Sequence, residues 1–170
     1  MRNFIANKYD YILAKHEDNG LIPLSEHLFL VAESAEAIAY NIGLDASLAR
    51  KGAILHDIGK ASSVFQKTLK HGYVRPYDFI FRHEIASLFF LSILKEEERG
   101  VVVEMIAAHH KSIYRDIHEL GLLDLEDMED CFGIHSKDFV SWAPDALGIL
   151  SSLGLAVHEI TLDEAEDNYN

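Results

Sequence analysis

The sequence predicts an all-α fold, and three observations carry that prediction. Apolar residues recur three and four positions apart along most of the chain. Residues that cap or break helices, among them Ser25, Asp45, Gly43, Gly59 and Gly100, fall at the ends of those periodic stretches. Only three prolines occur in 170 residues, few enough to leave long helices uninterrupted. That length is the size of one ordinary domain, so residues 1–170 are expected to fold around a single core.

Ser25 is the expected N-cap of a helix reaching about Tyr40, with His27, Leu30, Val31, Ser34, Ala35 and Ile38 on its apolar face. Asn41-Ile42-Gly43 closes it, and Asp45 caps a second helix from Ala46 to about His56. Gly59 breaks the chain, and Ala61 to about Leu69 forms a short helix. Residues 71–82, HGYVRPYDFIFR, contain a glycine and a proline and read as a loop with aromatic contacts. A long helix runs from about His83 to Glu98, with Ala86, Ser87, Phe90 and Leu94 beneath His83. Gly100 separates it from VVVEMIAAHH, where three valines suit a strand but Glu104 to Ala108 favours a helix. The acidic segment 122–130 is expected at the surface. Helices starting near Ser136 and Pro144 complete the chain, and ITLDEAEDNYN is expected to fray.

No run of about 18 apolar residues is present, so a membrane span is not expected. The first 20 residues mix charged and apolar groups and lack the apolar core of a secretory signal. A lone cysteine, Cys131, forms no internal disulfide and no thiolate metal cluster. The expectation is a cytoplasmic protein. The formal charge of −13 is unevenly spread. Residues 1–50 carry four basic and seven acidic groups, residues 51–115 ten and seven, and residues 116–170 one and fourteen. A polyanion can therefore still approach the middle segment, the more so if cations are bound there.

The chemistry concentrates in His56-Asp57, followed by Gly59-Lys60. Neighbours on a helix diverge by about 100° and cannot both face one atom. At a helix end, with Gly59 turning the chain, they can converge. An imidazole nitrogen and a carboxylate oxygen suit Mn²⁺, Fe²⁺, Co²⁺ or Ni²⁺, and a carboxylate can bridge two ions. His27, His83 and His109 each fall on the apolar face of an expected helix. Any one of them alone reads first as a core histidine with a hydrogen-bond partner. Several buried together beside an aspartate are costly unless they share one, and a metal centre supplies it. His109-His110 precedes Lys111-Ser112, which places that pair at a helix end as well. His16, His71, His118, His135 and His158 sit in polar surroundings and are expected at the surface.

These residues resemble the HD-type nuclease domain of the CRISPR-associated helicase-nuclease of type I interference systems, a branch of the HD phosphohydrolase superfamily. The resemblance runs through Leu13-Ala14-Lys15, Leu24-Ser25-Glu26-His27, Leu55 to Gln66 (LHDIGKASSVFQ), Arg82-His83-Glu84 and Ala107 to Lys111 (AHHK), roughly residues 10–112. It implies an HD-domain helical bundle with the metal site between helices. It further implies two divalent ions, from Mn, Fe, Co, Ni or Mg. His27, His56 and Asp57 would hold one, and Asp57, His83, His109 and His110 the other. Such a pair clamps a phosphate and readies a water to attack it, while Lys60 neutralises charge on the phosphate oxygens. The implied activity is metal-dependent hydrolysis of single-stranded DNA during antiviral interference. The implied partners are a helicase subunit or domain and a CRISPR effector complex.

The family usually adds an aspartate from a late helix, in an Ala-Asp segment followed by small residues, and no such segment occurs here. Asp163 and Asp167 are the last aspartates and lie in an acidic tail. Either the chain stops before that helix or another group substitutes. Two further readings use the same residues. A phosphohydrolase of small nucleotides needs the same metal chemistry in a closed pocket, and a catalytically silent module would dock to a helicase without cutting. For a nuclease, Lys67, Lys70, Arg75 and Arg82 with Tyr73, Tyr77, Phe79 and Phe81 are candidates for a strand-binding rim, or else pack the loop on the core.

Overall fold

The computed structural model describes residues 8–16, 20–74, 81–109 and 131–170. Eight α-helices and two 3-10 turns, with no strand, occur among them, so the all-α prediction holds. Helix α1, Leu24–Asn41, begins behind Pro23, whose fixed φ suits a helix entry. Ser25 is not its cap. It is a buried helical residue, and its hydroxyl donates to Asp10 Oδ1 at 2.9 Å. The buried face of α1 is Leu24, Ser25, Leu28, Phe29, Ala32 and Ala39. Leu30 and Ile38, expected inside, are 53% and 61% exposed. The expected stripe was rotated by about one position, and His27 lies at the edge of the true face.

Helix α2, Ala46–Leu55, begins where expected, with Asp45 Oδ1 accepting from Leu48 N at 2.9 Å. It packs on α1 as the most extensive helix pair. The chain then tightens into a 3-10 turn, Ile58–Ala61, and a short helix α3, Ser63–Thr68, capped by Ser62. The expected helix from His83 to Glu98 is instead broken. Helix α4 is His83–Leu88, a 3-10 turn covers Leu91–Ile93, and α5 runs Glu96–Ala108. The cause is the run Ile85 to Leu91, every residue of which is buried. One face of a straight helix cannot bury seven consecutive positions, so the chain turns inside the core. Arg99 donates to the carbonyls of Leu94 and Ser92 freed by the break. Gly100 is not a separator but an exposed residue within α5, which starts at three glutamates suited to a helix N-terminus.

Helix α6, Cys131–His135, precedes α7, Phe139–Ser152. Pro144 does not start a helix but lies inside α7, on the solvent side with Val140, whose carbonyl it leaves to water. The C-terminal segment does not fray. It forms α8, Leu162–Tyr169, with Ala165 buried and Asn168 donating to Phe89 O and Ser92 Oγ. Phe89, Phe90, Phe139 and Trp142 make an aromatic core with ring centroids 5.1–5.9 Å apart. The 3-10 turn Ile58–Ala61 packs against α4 and α7, which seats the end of α2 in the middle of the bundle. Among the described residues no helix is long and apolar enough to cross a membrane. Residues 75–80 and 110–130 lie outside the description, and with them His110, His118, the rim candidates Arg75, Tyr77 and Phe79, and the acidic segment 122–130.

Candidate metal centre

Asp57 is the hub. His56 still has helical dihedrals at the end of α2, its N–H bonded to Gly52 O, whereas Asp57 leaves the helical path and stands at the N-cap of the 3-10 turn. That change of path lets two adjacent side chains converge, as the sequence required. The Asp57 side chain is 3% exposed. Its Oδ2 lies 2.9 Å from His27 Nε2 and 3.2 Å from His56 Nε2. Its Oδ1 lies 2.8 Å from His83 Nε2 and 3.3 Å from His109 Nε2. Four of the five expected histidines therefore surround one carboxylate, two on each oxygen; the fifth, His110, lies outside the described residues. Two overlapping groups result, His27–His56–Asp57 and Asp57–His83–His109, each with its donor atoms within 4.8 Å of one another.

The donors fit divalent cations. His56 Nδ1 donates to Ala53 O at 2.7 Å and His109 Nδ1 to Ile106 O at 2.5 Å. A carbonyl only accepts, so each Nδ1 carries a proton, and Nε2 is the ring atom turned toward Asp57 and open to a cation. Those Nε2 atoms stand 3.2 and 3.3 Å from the carboxylate oxygens, close enough for one cation to be held by ring and carboxylate together. Asp57 Oδ1 is also buried and has no contact of hydrogen-bonding geometry, despite the two imidazoles beside it. A buried acceptor left this way is expensive, and a metal ion satisfies it.

The electrostatics agree. Burial pushes the Asp57 carboxyl up, but His109, His27, His56 and His83 together outweigh it and hold the group well below the usual carboxylate range. Burial pushes the His83 imidazole down by more than Asp57 draws it up. For His109 the balance reverses: burial lowers it, but Asp57 and the Ile106 carbonyl raise it above the ordinary 6.5. Lys60 Nζ lies 2.6 Å from Asp57 Oδ2 and over the Phe65 ring, so it is held at the centre rather than in solvent.

Supporting contacts that the sequence did not reveal hold the two groups together. Ser87 Oγ accepts from Gly59 N at 2.9 Å and lies within donating distance of His83 O (2.9 Å) and His56 O (3.1 Å). One buried hydroxyl thus ties the turn carrying Asp57 to the helix carrying His83. Its position four residues after His83, on the same helical face, was the available signal. Replacing Ser87 by Ala leaves the buried Gly59 N–H unpaired and is expected to cost about 1–3 kcal/mol in denaturant unfolding. His135 is fully buried rather than at the surface, and its Nε2 accepts from Arg82 N at 2.8 Å. It therefore steadies the residue before His83. His71 and His158 are exposed as expected, and His16 is partly buried. No late carboxylate joins either group among the described residues. Asp145 instead accepts from the Tyr11 hydroxyl and Asp138 from Ser63.

Comparison with known proteins adds a family-scale match. Residues 24–140 match the HD domain model, a span that includes His27, His56, Asp57, His83 and His109. The chain is 30% identical over 134 residues to Ribonuclease Y of Opitutus terrae, covering 78% of this chain and 23% of that protein. It is 33% identical over 102 residues to Ribonuclease Y of Clostridium novyi, covering 60% of this chain and 17% of that one. The chain thus spans less than a quarter of the length of these curated relatives. No solved structure matches it.

Proposed function

We propose, from the premise that this chain belongs to the HD domain family, that it is a two-metal phosphodiesterase acting on single-stranded nucleic acid. The observation that carries this reading is the single buried carboxylate shared between two histidine pairs. His27 and His56 with Asp57 Oδ2 would hold one ion, and His83 and His109 with Oδ1 the other. When bound, such ions stabilise charge on a phosphate and make a nucleophile available at neutral pH. The chain's own residues do the rest. The Ala53 and Ile106 carbonyls hold the His56 and His109 rings in the tautomer that presents Nε2. Lys60 is placed beside Asp57 to offset negative charge on a phosphodiester entering the centre. Phe65, 5.4 Å from the His83 ring, screens that ring from water.

The motif pattern around His56 to Gln66, with Arg82-His83-Glu84, favours DNA cut during interference with foreign DNA, beside a helicase and an effector complex. The similarity to two proteins named Ribonuclease Y favours RNA instead. Matched DNA and RNA oligonucleotides decide between them. With Mn²⁺ present, cleavage of the DNA strand alone supports the interference role, and cleavage of the RNA strand alone removes it. Chelation is expected to abolish cutting of either, and Mn²⁺ to restore it. Cutting that survives exhaustive chelation, with metal content confirmed at zero, would overturn the two-metal reading.

A further inference from the structure

A cleft of about 590 Å³ opens beside α3 that none of the five ligand residues lines. Its walls are Tyr11 and Leu21 from the N-terminal segment, Ala61 and Lys70 from the region around α3, and Trp142 and Asp145 from α7. One turn of chain separates it from the metal centre. Asp57 caps the 3-10 turn that ends at Ala61, and Gln66, another wall residue, donates from Nε2 to Lys60 O at 2.8 Å. Gln66 also bonds both backbone groups of Leu13, which pins the N-terminal wall to α3. Helix α3 thus presents Phe65 to the metal centre and the adjacent Gln66 to the cleft.

We propose that this cleft receives a base of the strand being cut, with Lys67 and Lys70 on the neighbouring phosphates; this rests on the phosphodiesterase reading above. Two observations select that occupant. The cleft's lining is mostly apolar and includes the Tyr11 ring, which is 65% exposed and offers a face on which a base can stack. Charge is the second. Arg50, Lys51, Lys60 and Arg82 are each ion-paired to a carboxylate. Lys15, Lys67 and Lys70 are exposed, form no ion pair among the described residues, and lie on two of the three chain segments that wall the cleft. Lys70 lines the cleft itself and, with Lys67 one helical turn before it, complements a polyanion carrying bases. Arg82 leaves the expected rim because Glu84 holds it.

The test measures anisotropy of a fluorescein-labelled short single strand on the full chain, with chelator keeping the strand intact. Salt is varied between about 0.05 and 0.2 M. Lys67→Glu with Lys70→Glu is expected to weaken binding at least about ten-fold. It should also flatten the slope of log K against log salt by about 1.4, since each single-strand phosphate contact contributes about 0.7. Ser141→Trp, which places a large ring in the cleft mouth, should weaken binding about ten-fold and leave the slope unchanged. All variants should melt at the wild-type temperature and take up the same amount of Co²⁺. Wild-type affinity in both the lysine and the Ser141 variants would overturn the proposal and leave the cleft to a protein partner. So would an affinity loss tracking a lowered melting temperature in both. Failure of the phosphodiesterase reading shows separately, as wild-type protein that binds the strand but cuts nothing with any divalent ion.

Discussion

Asp57→Ala is expected to lose both ions and at least about a thousand-fold in hydrolysis, about 4 kcal/mol of barrier, while remaining helical. Among the described residues only Asp57 belongs to both donor groups, so no other single substitution there removes an anionic ligand from each. Metal content by elemental analysis and cleavage by single-turnover kinetics read the two effects, and full metal content in the variant would refute the shared-carboxylate geometry. The metal-free fold adds a pH signature. Asp57, depressed below its ordinary 3.8, contributes stability that is present above that value and is lost as pH falls through its folded one. His109, raised above 6.5, contributes stability that is complete below that value and is lost as pH rises through its folded one. The first contribution comes from all four imidazoles around Asp57 and the second from Asp57 itself, so replacing Asp57 removes both. The stability gap between wild type and Asp57→Ala should therefore be widest between pH 3.8 and 6.5 and shrink above it. Thermal melts at pH 5 and pH 8 with chelator present decide this, and a gap independent of pH would show that these contacts carry no ionic stabilisation.

Gly59→Ala should destabilise the fold by about 3 kcal/mol or more, lowering the melting temperature by roughly 6–12 °C. A Cβ at this position would stand 2.0 Å from His83 O and 2.7 Å from Ser87 N. Both are backbone atoms of α4, so relief requires moving the helix that carries His83. Loss of the second ion should accompany the loss of stability. Gly100→Ala is the matched control. That glycine sits exposed within α5 with nothing within 4 Å of the added methyl. Alanine there should raise stability by about 0.5–1 kcal/mol. Equal effects at the two positions would mean that Gly59 is tolerated for reasons other than its close approach to α4.

The exposed apolar residues Leu30, Ile38 and Ile42 on and just beyond α1 show where periodicity misleads. Spacing in a single sequence selects a face but not its rotation. Leu24, Leu28 and Ala32 satisfy the same three-and-four rule as Leu30 and Ile38, and only the partner helix α2 decides between them. The break at Phe89-Phe90 was hidden for a related reason. A fully apolar run offers no polar face to mark where a helix turns, so the turn becomes visible only once the core around it is assembled.

What the sequence determined by itself was the all-helical class and the ligand types. Both are local properties: periodicity and capping at Asp45 follow from neighbours in the chain, and imidazole and carboxylate chemistry belongs to the residues themselves. It also placed His56 and Asp57 at a helix end, because a glycine two residues on permits the turn. Only the tertiary structure decided which oxygen of Asp57 faces which histidine, that Ser87 joins the two groups, and that His135 is buried. It also decided that Arg82 is committed to Glu84 while Lys67 and Lys70 are not. Those contacts join residues as many as 53 positions apart, and their geometry depends on how α2, α4 and α5 meet, which no local pattern encodes.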